Sequence, residues 1–90
     1  MARAEKKLKI RNKFGLHARP AAQLVQTATR YESNIFIEKG STKINAKSIM
    51  GVLMLAAAQG TVLTVTADGP DAEAAIGEIE RLLEKGFGEE

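Results

Sequence analysis

No cysteine occurs in the 90 residues, which excludes disulfides and thiolate-bound metal and fits a reducing compartment. Tryptophan is absent, and the four aromatic residues (Phe14, Tyr31, Phe36 and Phe87) form no nucleic-acid-binding motif with the scattered basic side chains. The single histidine, His17, cannot by itself build a histidine-rich metal site. Nor is there a Ser-His-Asp order with a nucleophile elbow. The longest apolar run, residues 49–58, is about half of what a bilayer span needs, and the basic first ten residues are not followed by an apolar signal core. The sequence therefore predicts a soluble, cytoplasmic protein with no metal, no cofactor, no nucleic-acid partner and no membrane insertion.

What is present is the composition of an ordinary globular protein, 44% hydrophobic and 27% charged, and its length fits one domain over 1–90. The net charge of +2 conceals a polarity along the chain. Residues 1–47 hold 11 basic and 3 acidic residues, and residues 48–90 hold 2 and 8. Two solvated faces would account for this. A sharper reading is that the half containing His17 meets acidic partners, because complementary charge speeds encounter.

Hydrophobic periodicity predicts the element order βαββαβα. Leu8 and Ile10 alternate with Lys7, Lys9 and Arg11, giving a half-buried strand over 5–11. A loop over 12–17 leads into a helix over 18–30, whose Ala21, Leu24, Val25 and Ala28 recur at helical spacing; Pro20 is tolerated in its first turn. Residues 34–39 and 42–46 form a hairpin around Gly40-Ser41. Ser48 reads as the N-cap of a short helix running to about Ala57. A strand over 61–67 ends at Asp68-Gly69-Pro70, and a last helix over 71–85 carries Ala72, Ala75, Ile76, Ile79, Leu82 and Leu83 on one stripe. One sheet covered on one face by helices buries all these stripes, which is a two-layer α+β sandwich.

The candidate site is Gly15-Leu16-His17-Ala18-Arg19-Pro20, where a loop meets a helix start. Unpaired N–H groups and the positive end of the dipole favour an anion there. A histidine just before the helix sets its ring beside the N–H groups of Ala18 and Arg19, and the Arg19 guanidinium can grip phosphate oxygens through two bonds. A lone histidine in so small a protein is commonly only a surface or capping residue, so the neighbours carry the reading. With one arginine and no glycine-rich cradle, they suit a phosphate attached to the imidazole better than a free one. Imidazole is a nucleophile near neutral pH, and its P–N bond is weak enough to be passed on. Loose, in-line phosphoryl transfer asks for positioning and charge neutralisation, which a tiny domain can supply.

The segments Gly-Leu-His-Ala-Arg-Pro-Ala at 15–21 and Lys-Ser-Ile-Met-Gly-Val-Leu at 47–53 give nearly the whole chain a resemblance to the HPr family of phosphocarriers, from the bacterial phosphoenolpyruvate-dependent phosphotransferase system. That resemblance implies an antiparallel four-stranded sheet in order 1-4-2-3 with three helices on one face. It also implies that His17 accepts a phosphoryl group on Nδ1 from Enzyme I and donates it to a histidine of an Enzyme IIA domain, with Arg19 steadying the group. By the same resemblance Ser48 matches a serine phosphorylated by an HPr kinase/phosphorylase, and Phe14, Lys47, Ile49, Met50 and Leu53 fall where partners dock. Met50 is the leading choice among them, although a stripe of Ile49, Met50, Leu53 and Met54 on a short helix is also what a core needs. Phe14 stands where many sugar-transport members have a small polar residue. Residues 12–15, 52–55 and the 85–90 tail are similar to the nitrogen-regulatory branch, while residues 25–28 and 47–51 are similar to Gram-positive sugar carriers.

Three functional classes follow. The leading one is a monomeric phosphoryl relay, a stoichiometric intermediate rather than an enzyme. The second is a regulatory module contacting a transcription regulator or metabolic enzyme under control of charge at Ser48 or His17. The third is a ligand-binding domain with no role for His17, against which the motif counts.

Overall fold

Alternating lysines and apolar residues near the start of the chain give a strand with one dry face. In the computed structural model, which describes residues 2–89, this is β1 (Arg3–Lys9). There follow α1 (Ala18–Thr29), β2 (Asn34–Lys39), β3 (Thr42–Asn45), α2 (Ile49–Met54), β4 (Val62–Asp68) and α3 (Ala72–Glu84). The order βαββαβα is as the periodicity predicts. The strands form one antiparallel sheet in the order β1-β4-β2-β3. Its register sets Leu8 opposite Leu63, Ile37 opposite Val65 and Ile35 opposite Ala67, so the dry faces of three strands coincide.

The helices close over that face. Leu24 of α1, Val52 of α2 and Ile79 of α3 are wholly buried against the sheet side chains in one continuous core. A fully buried Leu or Ile contributes about 1.5–3 kcal/mol. The opposite face of the sheet, with Arg3, Glu5, Lys7 and Lys9 on β1, stays in solvent.

Strand β1 lies two residues earlier than the periodicity predicts, at Arg3–Lys9 rather than 5–11, because its ladder with β4 runs from Arg3 opposite Asp68 to Lys9 opposite Val62. Two further differences follow the second and last helices. The second helix ends at Met54 rather than near Ala57, because Ala56 turns left-handed (φ +48). The Lys39 ammonium then donates to the carbonyls of Leu55 (3.0 Å) and Ala56 (3.4 Å), which satisfies groups that a longer helix would have used. After α3 a short 3₁₀ turn over Gly86–Gly88, absent from the periodic pattern, carries the tail back across the molecule.

Asp71, at the start of α3, does not cap its own helix. Its carboxylate accepts from the Ser33 hydroxyl (2.6 Å) and from the N–H groups of Glu32 and Ser33 (both 2.9 Å), tying the α1–β2 turn to α3. The Ser33 hydroxyl first, and then the Glu32 N–H, hold its pKa below the ordinary 3.8. A depressed pKa contributes stability that is present above the unfolded value and lost as the pH falls through the folded one. Asp71→Asn, which sets an amide against these donors, is therefore expected to lower the urea midpoint at neutral pH. The gap to wild type should close in strongly acidic solution, and a pH series of urea melts checks it.

Candidate functional site

The loop between β1 and α1 is built around a buried asparagine. Asn12 Nδ2 donates to the Gly15 carbonyl (2.7 Å), and Gly15 N–H returns a bond to the Asn12 carbonyl (3.2 Å). Gly15 is left-handed (φ +68) and lies so close to the 57–58 backbone that a Cβ would fall 2.3 Å from the Ala57 carbonyl oxygen. The next N–H, that of Leu16, donates to that same oxygen at 2.9 Å, and the Leu16 side chain is buried. The loop is thus pinned immediately before the position where α1 begins.

His17 is the N-cap residue of α1, with extended backbone (φ −80, ψ −170). Its side chain does not cap the helix, so the N–H groups of Ala18 and Arg19 are left at an open helix start. The ring is 42% exposed, and its Nε2 lies 2.8 Å from Glu89 Oε2. The other Glu89 oxygen accepts from Asn12 Nδ2 at 2.9 Å. Phe14, 70% exposed, sets its ring perpendicular to that of His17 at 6.1 Å between centroids, with the Lys13 ammonium 5.6 Å from the Phe14 centroid. Arg19 is exposed and enters no ion pair among the described residues. An open helix start, an exposed ring and an exposed guanidinium two residues on thus fall within one short segment, an arrangement suited to a dianion borne on the ring.

The short helix α2 packs beside α1. Ser48 is exposed and caps it, accepting from Gly51 N–H at 3.1 Å. Met50 and Met54 are 67% and 72% exposed, Ile49 and Leu53 are partly so, and only Val52 of this helix is buried. The stripe is therefore largely surface, not core. Lys47 is not brought to the site: its ammonium donates to the Tyr31 carbonyl (2.7 Å), just beyond the end of α1 opposite His17.

Asn12 and Glu89 are the site residues that the sequence reading misses. Spacing could not reveal them, since Glu89 lies 72 residues from the ring it touches. A polar residue buried in the loop beside the histidine is the only local signal.

The comparisons with known proteins agree with one another. The family model described as the PTS HPr component phosphorylation site matches residues 4–85. The phosphocarrier protein HPr of Treponema pallidum is 46% identical, covering 94% of this chain and 97% of its own. The crystal structure of HPr from Thermoanaerobacter tengcongensis superposes with a TM-score of 0.93 at 50% identity, covering 97% of this chain and 98% of that one. The HPr-like protein Crh of Bacillus subtilis is 43% identical over 90% of this chain and 95% of its own. The chain belongs to the HPr family of phosphocarrier proteins of the phosphotransferase system.

Proposed function

We propose that the chain is a phosphoryl relay, a single carrier domain working as a monomer in the cytoplasm, which takes a phosphoryl group on His17 and passes it on. The observation that carries this reading is an exposed imidazole at the uncapped start of α1, with the Arg19 guanidinium, which enters no ion pair among the described residues, two positions on. Enzyme I, charged from phosphoenolpyruvate, would be the donor and a histidine of an Enzyme IIA domain the acceptor. A ring nitrogen of His17 attacks phosphorus as the donor's P–N bond breaks in line, and the same exchange in reverse order hands the group on. The N–H groups of Ala18 and Arg19 and the Arg19 side chain neutralise the equatorial oxygens, and nothing further is asked of the fold. Phe14, Ile49, Met50 and Leu53 supply the apolar ground on which both partners dock.

A regulatory reading is favoured by one specific feature, the exposed Ser48 hydroxyl at the start of α2. A phosphate there is tolerated by the helix start and adds negative charge beside Met50, where it would repel an acidic partner. This brings an HPr kinase/phosphorylase and a transcription regulator into the set of proposed partners.

Two phosphorylation assays test these readings. Incubated with phosphoenolpyruvate, magnesium and Enzyme I, the protein should gain one phosphoryl group that is labile in acid and stable in alkali, and His17→Ala should gain none. An unmodified wild type, or a His17→Ala protein modified equally well, would refute the relay. An acid-stable phosphate added by an HPr kinase with ATP, and lost in Ser48→Ala, supports the regulatory layer; its absence removes it.

A further inference from the structure

Both oxygens of Glu89 are committed, one to Asn12 and one to His17, and the geometry of that pair of bonds decides which ring nitrogen holds a proton. Asn12 comes first. Its amide nitrogen faces two groups that can only accept, the Gly15 carbonyl at 2.7 Å and Glu89 Oε1 at 2.9 Å. Turning the amide over would set its oxygen against both, so Asn12 has one workable orientation. The carboxylate is thereby held by a buried donor, and its second oxygen is aimed at His17 Nε2. A carboxylate offers no proton, so the nitrogen at 2.8 Å must carry one. In the neutral ring the lone pair is then on Nδ1.

We propose that Glu89 is a positioning residue which pins the Nε2–H tautomer of His17 and so presents Nδ1 as the atom that accepts phosphorus. This rests on the reading of His17 as a phosphoryl acceptor and deepens it. The exchange balances without any proton transfer. The Nδ1 lone pair forms the bond to phosphorus, the electron pair of the donor's P–N bond leaves with the donor, and the ring becomes a phosphoimidazolium with Nε2–H still facing the carboxylate. That positive charge is stabilised by Glu89. When the group moves on, the N–P electron pair returns to Nδ1 and the starting tautomer is restored. A residue from the far end of the chain thus makes the two half-reactions symmetrical at the ring.

Glu89→Gln gives the discriminating test. Asn12 remains a donor and claims the new carbonyl oxygen, which turns the glutamine NH₂ toward His17 Nε2. The ring must then accept at Nε2 and carry its proton on Nδ1, the nucleophile's position. Nitrogen-15 NMR of the neutral ring should show an Nε2–H tautomer in wild type, an inverted ratio in Glu89→Gln and a mixture in Glu89→Ala. Phosphoryl uptake from Enzyme I should fall about 10- to 100-fold in Glu89→Gln and less in Glu89→Ala, with Glu89→Asp recovering part of the loss. A role in stability alone would give the opposite ranking, since the isosteric change disturbs packing least. The proposal is overturned by a wild-type ring protonated on Nδ1, by a Glu89→Gln ring with the wild-type tautomer, or by an inverted tautomer with unchanged uptake. If the wild-type tautomer is as stated but Enzyme I never modifies His17, the relay reading fails and the placement of the proton stands.

Discussion

Gly15→Ala should destabilise the fold by about 2–5 kcal/mol and displace the histidine loop as it does so. Two costs add. Gly15 is left-handed (φ +68), where a Cβ is disfavoured by roughly 1–2 kcal/mol. The added carbon would also stand 2.3 Å from the Ala57 carbonyl oxygen and 3.0 Å from Ala58 Cα, both backbone atoms that cannot swing aside as a side-chain tip could. Relief requires the loop to move away from residues 57–58, which stretches the 2.9 Å bond from Leu16 N–H to Ala57 and carries His17 with it. Phosphoryl uptake should therefore fall further than the loss of folded protein explains. Gly40→Ala is the internal control: its φ of +58 imposes similar strain, but a Cβ there meets nothing within 4 Å. Urea melts of the two variants separate strain from clash. Equal midpoints would mean that the backbone at Ala57 yields freely.

The same loop shows what a sequence does and does not carry. Local features were legible because their physics is local: the alternation around Leu8, the helical stripe of Ala21, Leu24 and Ala28, and Ser48 as a cap. The junction of loop and helix at His17 was legible for the same reason. The end of α2 was not, because Ala56 takes a left-handed turn that glycine more often marks, and the lysine that satisfies the freed carbonyls, Lys39, comes from another element. In the sequence reading Lys47 stands among the docking residues because nothing nearby in sequence indicates the Tyr31 carbonyl to which its ammonium donates. The sheet order came from the resemblance, since strand periodicity says which face is dry and not which strand is the neighbour. Asn12 and Glu89 lie 77 positions apart and meet only once the whole sheet is in place. Contacts of that kind leave no periodic trace.

The contact between Glu89 and His17 depends on one aromatic ring, which makes Phe87→Ala the second large effect. Gly86, Phe87 and Gly88 are all left-handed (φ +58, +58 and +78), an unfavourable state for a bulky residue such as phenylalanine. What offsets that cost is burial: Phe87 is almost wholly enclosed and joins the core, while Gly86 lies against Asn12. Two backbone bonds, Gly88 N–H to Lys85 (3.1 Å) and Glu89 N–H to Gly86 (2.9 Å), turn the segment so that Glu89 reaches the ring. Removing a buried phenyl group costs about 3–5 kcal/mol. Beyond Phe87 the segment is held by Gly86 packed on Asn12 and by the bonds of Glu89, so without the ring it comes away instead of leaving a cavity; the lower figure applies, with a fall in Tm of roughly 12–24 °C. Truncation after Lys85 should then cost nearly the same, because in both proteins the strap is lost as a unit. In both, the His17 ring should show the mixed tautomers of a histidine with no carboxylate beside it. A Phe87→Ala variant much less stable than the truncated chain would mean that the alanine-bearing tail stays docked over a cavity, and Glu89 would then still hold the ring.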